Sequence, residues 1–305
     1  MSAESPPLKV WILPILTVLI IVGAFFTYTY SSFGPYERVL DQSFSSLEKA
    51  LDENARDTSA VSLVILGSSL TEQALVDPLA LQDSVSGMTH RKAKVLRVAI
   101  NYLTMDLAER MKFFELISKH PSDYLFLENF TVNLDGDSSL IPVQIDAALL
   151  DIRNHVRKVI GMSTQDNYYA KWYTFDSKPL PGSTYYTNDF DSATFKSLQG
   201  KINVVRNASR NGAANIAYKH LNAQHKKVVF LDMPQSIRLR KNFLSDASAV
   251  KLDEVLQYYH SKFGIEYWRY PGVMADSCFY DGAHVNSKGA MEYQKWFVSE
   301  IASRN

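Results

Sequence analysis

Five short apolar segments, separated by longer segments of helical character, constrain the fold of this chain more than any other feature of its sequence. They lie at 61–66, 94–100, 123–130, 226–234 and 265–270. Short apolar strands that are joined by helices form a parallel sheet with helices on both faces. We therefore expect an α/β fold, namely a three-layer α/β/α sandwich around a mostly parallel five-stranded sheet.

The segments between the strands carry apolar residues at helical spacing. This pattern predicts helices at 36–56, 105–120, 145–161, 193–220, 247–262 and 287–303. Either Asn286 or Ser287 is expected to cap the last helix, because both side chains can accept hydrogen bonds from the first turn of a helix. Between the first two strands we expect a helix to begin near Ser69 and a loop with a break at Gly87 to follow.

The N-terminal part of the chain contains an uncharged apolar run, Val10–Phe26. With its flanks, this run is long enough to cross a bilayer of about 30 Å as a helix. Aromatic side chains stand at both ends, as they do at membrane interfaces: Trp11, Tyr28 and Tyr30. We expect residues 1–35 to form a cytoplasmic tip and an uncleaved transmembrane anchor, with a cleaved signal peptide as the alternative.

The remaining residues, 36–305, are expected to form one domain with an aromatic insertion at about 162–191. Lys9 precedes the apolar run, which favours an N-terminus in the cytoplasm. We therefore expect a single-pass membrane protein whose soluble domain is extracytoplasmic, either periplasmic or extracellular.

Composition excludes several classes of function. The 305 residues contain 32 Lys and Arg against 32 Asp and Glu, so the formal net charge is zero and no basic field suggests a nucleic-acid partner. The single cysteine, Cys278, excludes an intramolecular disulfide and a cysteine-based zinc or iron–sulfur site. The histidines show no metal-ligand spacing. We expect neither a metal nor an organic cofactor.

Two local patterns carry the candidate chemistry. Ser68 and Ser69 follow the first strand, at the sheet edge where α/β folds place ligands. Asp281 and His284, three residues apart, precede the last helix. A carboxylate can orient an imidazole, which can then accept the proton of a serine that attacks an ester. The alternatives are a capping aspartate beside a surface histidine, and a serine pair that only shapes a turn.

These two patterns resemble the SGNH (GDSL-like) hydrolase superfamily, in which a Gly-Asp-Ser sequence follows strand one and a D-x-x-H sequence lies near the C-terminus. The Gly67–Leu70 sequence, GSSL, and the segment FYDGAHVNSKGAMEY are similar to its membrane-anchored branch. That branch comprises alginate and peptidoglycan O-acetyltransferase proteins and the D-alanyl transfer proteins of teichoic acid. The resemblance spans about 61–303 and implies an SGNH-type fold, with Ser69 as nucleophile, His284 as base and Asp281 as the residue that orients it.

The resemblance also implies an oxyanion hole with two backbone donors. One is the N–H of Ser69, and the other comes from the residue that replaces the family's glycine after strand two. Ala99 or Ile100 stands at that position, with Asn101 nearby. A backbone N–H does not require glycine, so we expect Ala99 to supply the second donor.

The third donor in the family is an asparagine after strand three. Asn129 stands at the end of that strand in this chain, and Asn133 is the alternative. Glu128, next to Asn129, could either support the site or be a solvated charge at the strand edge.

Two further features could bind substrate. Arg238 and Arg240, with Lys241, follow strand four and could hold an anionic group, although a solvated charged loop is the alternative. The aromatic insertion, which includes Trp172, could stack against sugars or could simply pack onto the domain.

The expected function is that of a membrane-anchored extracytoplasmic serine esterase or O-acyltransferase that acts on an acyl ester of a cell-envelope glycan. The alternative is a non-catalytic, membrane-tethered protein that binds or assembles envelope polysaccharide. The expected partners are an acylated glycan or another ester, the membrane and, by analogy with the resembling families, a multi-pass membrane acyltransferase.

Overall fold

The computed structural model describes residues 9–31, 47–100, 108, 112–129, 152–163, 173–174, 212–243, 246–281 and 283–304. The chain divides into two compact units. One consists of Met1–Ser43 with Ser138–Ala170, and the other consists of Phe44–Asp137 with Lys171–Asn305.

One or two helices separate each described strand from the next along the chain. In order they are α1 Lys9–Ser31, α2 47–56, β1 Val61–Gly67, α3 Ser69–Ala74, α4 Pro78–Thr89, β2 Ala93–Ile100, α5 Phe113–Ser118, β3 Tyr124–Glu128, α6 152–159, β4 Tyr173–Thr174, α7 Gly212–Gln224, β5 Lys227–Leu231, α8 Ile237–Phe243, α9 Asp246–Phe263, β6 Glu266–Trp268 and α10 Ser287–Arg304. A 3₁₀ turn, Asp276–Cys278, stands between β6 and α10.

The first unit contains α1 and α6. Among the helices that the structure describes, none combines the length and the apolar character needed to span a bilayer. The transmembrane anchor at 1–35 and the boundary with a domain at 36–305 remain predictions.

The second unit is built on a six-stranded sheet of order β4-β2-β1-β3-β5-β6. All pairs among β1, β2, β3, β5 and β6 are parallel, which confirms the predicted α/β fold with five parallel strands. The sixth strand, β4, pairs antiparallel with the end of β2 and was not predicted. Its two residues are too few to produce a detectable strand period.

Strand β1 occupies the middle of the sheet, and each of its seven residues is buried. Its parallel register places Gly67 opposite Ala99 of β2 and Leu66 opposite Leu127 of β3. The carboxyl ends of the three strands therefore lie at one edge of the sheet. Side chains that directly follow β1 and β3 are brought together there.

Aromatic and aliphatic side chains cover both faces of the sheet. On one face, the Phe126 ring lies 5.0 Å from Trp268 and 4.9 Å from Phe297 of α10, measured between ring centroids. On the other face, the Phe230 ring lies 5.3 Å from Tyr218 of α7. Helices therefore cover the sheet on both sides, as the three-layer prediction requires.

The segment between β1 and β2 differs from its prediction, because α4 occupies most of the expected loop. Asp77 caps α4 by accepting hydrogen bonds from the backbone N–H groups of Leu79 and Ala80, both at 3.0 Å. Pro78 takes the first helical position, which suits a residue without an N–H donor. Gly87 lies within this helix rather than at a break, and no heavy atom lies within 4 Å of the place a Cβ would take there.

The predicted helices are observed wherever the structure describes them in full. The last one spans Ser287–Arg304, and Asn286 caps it by accepting from the N–H groups of Lys288 and Gly289. Parts of the other predicted helices lie outside the described residues, namely 36–46, 105–107, 109–111, 145–151 and 193–211.

Replacing Gly67 by Ala should lower the free energy of unfolding by about 1–3 kcal/mol, because the added methyl group overpacks a closed site. A Cβ at this position would overlap Thr71 and would lie 2.6 Å from Oε2 of Glu128. The matched control is Gly87→Ala, which adds the same methyl group to an open helix position and should raise the free energy of unfolding by about 0.5–1 kcal/mol. Urea unfolding measures both changes, and a Gly67→Ala protein as stable as wild type would contradict the packing described here.

Candidate active site

The Ser69 hydroxyl lies at the first residue of α3, directly after the carboxyl end of β1. Ser68 caps this helix, since its side-chain oxygen accepts a hydrogen bond from the N–H of Leu70 at 3.2 Å. A buried strand that passes through a capped turn into a helix holds the Ser69 side chain at the sheet edge.

Asp281 and His284 lie in a tight turn between the 3₁₀ turn and α10. The backbone N–H of Tyr280 closes this turn by donating to the His284 carbonyl oxygen at 2.8 Å. Asp281 Oδ1 accepts hydrogen bonds from the N–H groups of Ala283, at 3.0 Å, and of His284, at 2.8 Å. One oxygen of the Asp281 carboxylate thus folds the turn and leaves the other free to face the His284 ring.

The structure brings Ser69, His284 and Asp281 into one hydrogen-bonded chain. Ser69 Oγ lies 2.9 Å from Nε2 of His284, although the two residues are 215 positions apart in sequence. Nδ1 of the same ring lies 2.7 Å from Oδ2 of Asp281. This order of groups is that of a serine nucleophile, its general base and the carboxylate that orients the base.

Burial and charge differ along this chain of groups. Asp281 is 4 % exposed, whereas the His284 side chain is 21 % exposed. Burial alone would raise the pKa of Asp281, but hydrogen bonds from the His284 ring and from the backbone of His284 and Ala283 outweigh that effect and lower this pKa below its ordinary value. Asp281 is therefore a carboxylate at neutral pH, while the imidazole remains accessible to a substrate.

Glu128, at the end of β3, is buried against the turn that carries Ser69. Its carboxylate accepts hydrogen bonds from the Ser68 N–H at 2.7 Å, the Ser68 hydroxyl at 2.7 Å, the Thr71 hydroxyl at 2.6 Å and the Thr71 N–H at 3.3 Å. Burial raises the pKa of Glu128, and the hydrogen bonds from Thr71 and Ser68 counteract part of that rise. Glu128 is thus not a solvated charge at the strand edge.

Asn129, the predicted side-chain donor of an oxyanion hole, is fully buried. Its Nδ2 donates to Oδ1 of Asp232 at 2.9 Å and lies 3.3 Å from the Tyr267 hydroxyl. Burial raises the pKa of Asp232 to about 6, against hydrogen bonds from Tyr267 and Asn129 that lower it. In this arrangement the Asn129 amide nitrogen contacts Asp232 and Tyr267, so its role as an oxyanion donor remains a prediction.

The two predicted backbone donors differ in their surroundings. Ala99 lies within β2, with Gly67 opposite on one side and Thr174 opposite on the other. The N–H groups of Ser68, Leu70 and Thr71 all donate to partners, whereas that of Ser69 has no acceptor among the described residues. The Ser69 N–H is therefore available to a ligand, and the role of Ala99 remains a prediction.

The predicted substrate-binding residues are only partly described. Nε of Arg238 lies 3.4 Å from Oδ2 of Asp276, so this guanidinium pairs within the protein, and Arg240 is exposed on α8. Trp172 lies outside the described residues. Among the described residues, neither arginine forms a hydrogen bond or an ion pair with Ser69.

Metal binding finds no support in the part of the chain that the structure describes. No group of three or more His, Cys, Asp or Glu side chains there is placed to hold an ion. Sequence reasoning found the serine, histidine and aspartate, named Glu128 as one of two alternatives, a supporting residue or a solvated charge, and did not identify Thr71. Glu128 stands at the end of a strand and Thr71 in the first turn of a helix. Many polar residues occupy such positions, so the position alone does not mark a site residue.

No protein-family model and no curated protein matches the chain. Among solved structures, it is similar to a lipase/acylhydrolase from Enterococcus faecalis, with 16 % identity and a TM-score of 0.39 over 79 % of this chain and 96 % of that one. A proposed acylhydrolase from Bacteroides fragilis gives 11 % identity and a TM-score of 0.40, over 86 % of this chain and 96 % of that one. A proposed platelet activating factor from Streptococcus pneumonia gives 10 % identity and a TM-score of 0.32, over 93 % of this chain and 99 % of that one. Scores below 0.5 are too low to support a conclusion about function.

Replacing Asp281 by Asn should lower the free energy of unfolding by about 1–3 kcal/mol near pH 7, because a buried charged acceptor of three hydrogen bonds is lost. The pKa of Asp281 is depressed in the folded state, so its contribution is complete above the ordinary value of 3.8 and is lost as the pH falls below it. Urea unfolding of the two proteins at about pH 7 and about pH 3 measures the difference. A difference of equal size at both pH values would contradict this assignment.

Proposed function

We propose that this protein is a serine-dependent ester hydrolase or acyltransferase of the SGNH type, in which Ser69 attacks the carbonyl carbon of an acyl ester. The observation that carries the proposal is the hydrogen-bonded chain from Ser69 through His284 to Asp281, at 2.9 Å and 2.7 Å. A serine hydroxyl is a weak nucleophile near neutral pH, and an adjacent imidazole base activates it.

Acylation begins when the Ser69 oxygen bonds to the ester carbonyl carbon and the hydroxyl proton passes to Nε2 of His284. Asp281 Oδ2 accepts the Nδ1–H of the same ring, so Nε2 is the nitrogen free to accept that proton, and the imidazolium that forms is stabilised. When the tetrahedral intermediate collapses, His284 gives the proton to the departing alkoxide oxygen. The alcohol leaves, and the acyl group remains as an ester on Ser69.

Deacylation repeats these steps with a second hydroxyl compound. Water, or a sugar hydroxyl, loses its proton to His284 and attacks the Ser69 ester, and the proton then returns to the Ser69 oxygen. Water releases a free acid, which is esterase activity, and a sugar hydroxyl yields a new ester, which is acyl transfer. The N–H of Ser69 supplies one donor for the negative oxygen of each tetrahedral intermediate.

We place this activity at a cell envelope. The support is in the sequence: the GSSL motif and the D-x-x-H segment are similar to the membrane-anchored glycan acetyltransferase and D-alanyl transfer proteins, and an apolar run precedes the domain. The proposed substrate is an acylated envelope glycan, on which the protein would act outside the cytoplasm. A multi-pass membrane acyltransferase is the proposed source of the acyl group where the reaction is a transfer.

Replacing Ser69 by Ala should abolish labelling of the protein by a fluorophosphonate probe, because the probe forms its covalent bond with the activated serine oxygen. His284→Ala should slow labelling by about 100-fold or more, since the hydroxyl then lacks its base. The matched control is Ser84→Ala, which removes an exposed hydroxyl that bonds only the carbonyl of Ala80 on α4. Gel fluorescence and peptide mass spectrometry measure the rate and the position of labelling.

Wild type and Ser84→Ala should label equally, at Ser69. Equal labelling of all four proteins, or no labelling of wild type, would contradict a catalytic role and would favour a non-catalytic protein that binds or assembles envelope polysaccharide.

Replacing both Leu16 and Ile20 by Asp should release the protein from membranes, because each carboxylate within the apolar run costs roughly 2.5–3.5 kcal/mol at the centre of a spanning helix. The expected result is that the wild-type chain stays in the membrane pellet after an alkaline wash, whereas the double variant appears in the supernatant. Immunoblotting of both fractions measures this, and a wild-type chain found in the supernatant would exclude the proposed anchor.

A further inference from the structure

We propose that Glu128 is the positioning residue that holds the Ser69 hydroxyl at the His284 ring. The inference rests on the proposed function, since it concerns the same nucleophile. Among the described residues, Ser69 forms its side-chain hydrogen bond with His284 and none with Glu128. Glu128 binds the residues on either side, Ser68 and Thr71, and so fixes the first turn of α3.

Glu128 accepts hydrogen bonds from four donor groups of that turn, two of Ser68 and two of Thr71. Oε2 accepts from the N–H groups of Ser68, at 2.7 Å, and Thr71, at 3.3 Å, and from the Thr71 hydroxyl at 2.6 Å. Oε1 accepts from the Ser68 hydroxyl at 2.7 Å. The first N–H groups of a helix have no partner within the helix, and here a buried carboxylate supplies one.

The packing around Glu128 leaves the turn little freedom to move. Glu128 is 1 % exposed, and Thr71 is fully buried. A Cβ on Gly67 would overlap Thr71 and lie 2.6 Å from Oε2 of Glu128, so only glycine allows the carboxylate to approach this closely. The Thr71 hydroxyl also lies 3.6 Å from the Met233 sulfur after β5, which connects the turn to a third strand.

The other end of α3 is held by a buried arginine. Arg97 of β2 is fully buried, and its Nη1 donates to the carbonyl oxygens of Glu72, at 3.0 Å, and Val76, at 2.9 Å, and also to that of Leu75. Cations stabilise the carbonyl end of a helix as anions stabilise the N–H end. Helix α3 is therefore held at each end by hydrogen bonds to a buried side chain, from the two strands beside β1.

The decisive variant is Glu128→Gln, which keeps the size of the side chain but replaces one acceptor oxygen by an NH₂ donor. The amide keeps a single oxygen, so either the Ser68 hydroxyl must change from donor to acceptor, or the N–H groups of Ser68 and Thr71 lose the oxygen that they face. We expect the maximal rate constant of fluorophosphonate labelling at Ser69 to fall by about 10- to 100-fold, because a small displacement of a reacting atom has an effect of that size. The probe concentration that gives half-maximal rate should stay unchanged, since Glu128 does not contact the probe.

The matched control is Asp123→Asn, at the opposite end of the same two strands. Asp123 Oδ2 accepts from the N–H of Ser62 at 2.8 Å and from its hydroxyl at 3.2 Å, which repeats the carboxylate–serine contact away from the site. This variant loses a comparable contact and should become less stable, but its maximal labelling rate constant should equal that of wild type. A rate loss in both variants would show that Glu128 acts only through general stability and would overturn the proposal.

A second measurement does not depend on catalysis. Hydrogen–deuterium exchange of the peptide that covers residues 67–75 should become faster in Glu128→Gln than in wild type and in Asp123→Asn, because the amide leaves one acceptor oxygen in place of two for the donors of Ser68 and Thr71. If wild type is not labelled but this exchange still accelerates, the proposed function fails while the positioning of α3 by Glu128 is upheld. Unchanged exchange together with unchanged labelling overturns the positioning role.

If Glu128→Gln does not fold, Thr71→Val takes its place. It keeps the shape of the side chain and removes the 2.6 Å hydrogen bond to Glu128. We expect a smaller fall of the maximal labelling rate constant, of about 10-fold, again with an unchanged half-maximal probe concentration. A wild-type rate constant in Thr71→Val would overturn the proposal.

Discussion

The contact between the Ser69 hydroxyl and Nε2 of His284 is the interaction on which the account of this protein depends. It joins the end of β1 to the turn before α10, across 215 positions of sequence. The parallel sheet with its helical crossovers brings these two segments to one edge, because β1 lies at the middle of the sheet and α10 packs across its face. The fold therefore assembles the site, and no local stretch of the chain contains it.

The two buried carboxylates at this edge, Asp281 and Glu128, have different surroundings and different pKa shifts. Asp281 is close to fully buried and has a depressed pKa, because the His284 ring and backbone N–H groups stabilise its charge beyond the effect of burial. Burial dominates at Glu128 and raises its pKa, although four donor groups face its oxygens. A buried carboxylate without such donors would cost several kcal/mol. In the proposed mechanism, one carboxylate orients the base and the second holds the turn that carries the nucleophile.

Sequence patterns predicted the strands and the core of the site, but not the contacts between distant residues. The five parallel strands followed from continuous apolar runs, and the three residues of the hydrogen-bonded chain followed from two short motifs. Helix α4 was not predicted, because Gly87 indicated a break, but Asp77 and Pro78 start the helix and its open position at Gly87 tolerates glycine. The role of Glu128 depends on which strands are neighbours, and the partners of Asn129 come from β5 and β6. Neither can be deduced from local sequence.

The measurement that tests the central claim most directly is the detection of the acyl-enzyme itself. Wild-type protein is mixed with p-nitrophenyl acetate, quenched with acid at short times, digested and analysed by mass spectrometry. The account predicts an acetyl group on Ser69 in the peptide that contains it, formed in a burst with the release of p-nitrophenol, and absent from the same residue when His284 is Ala. Acetyl groups on other residues alone, or none in wild type, would contradict Ser69 as the nucleophile.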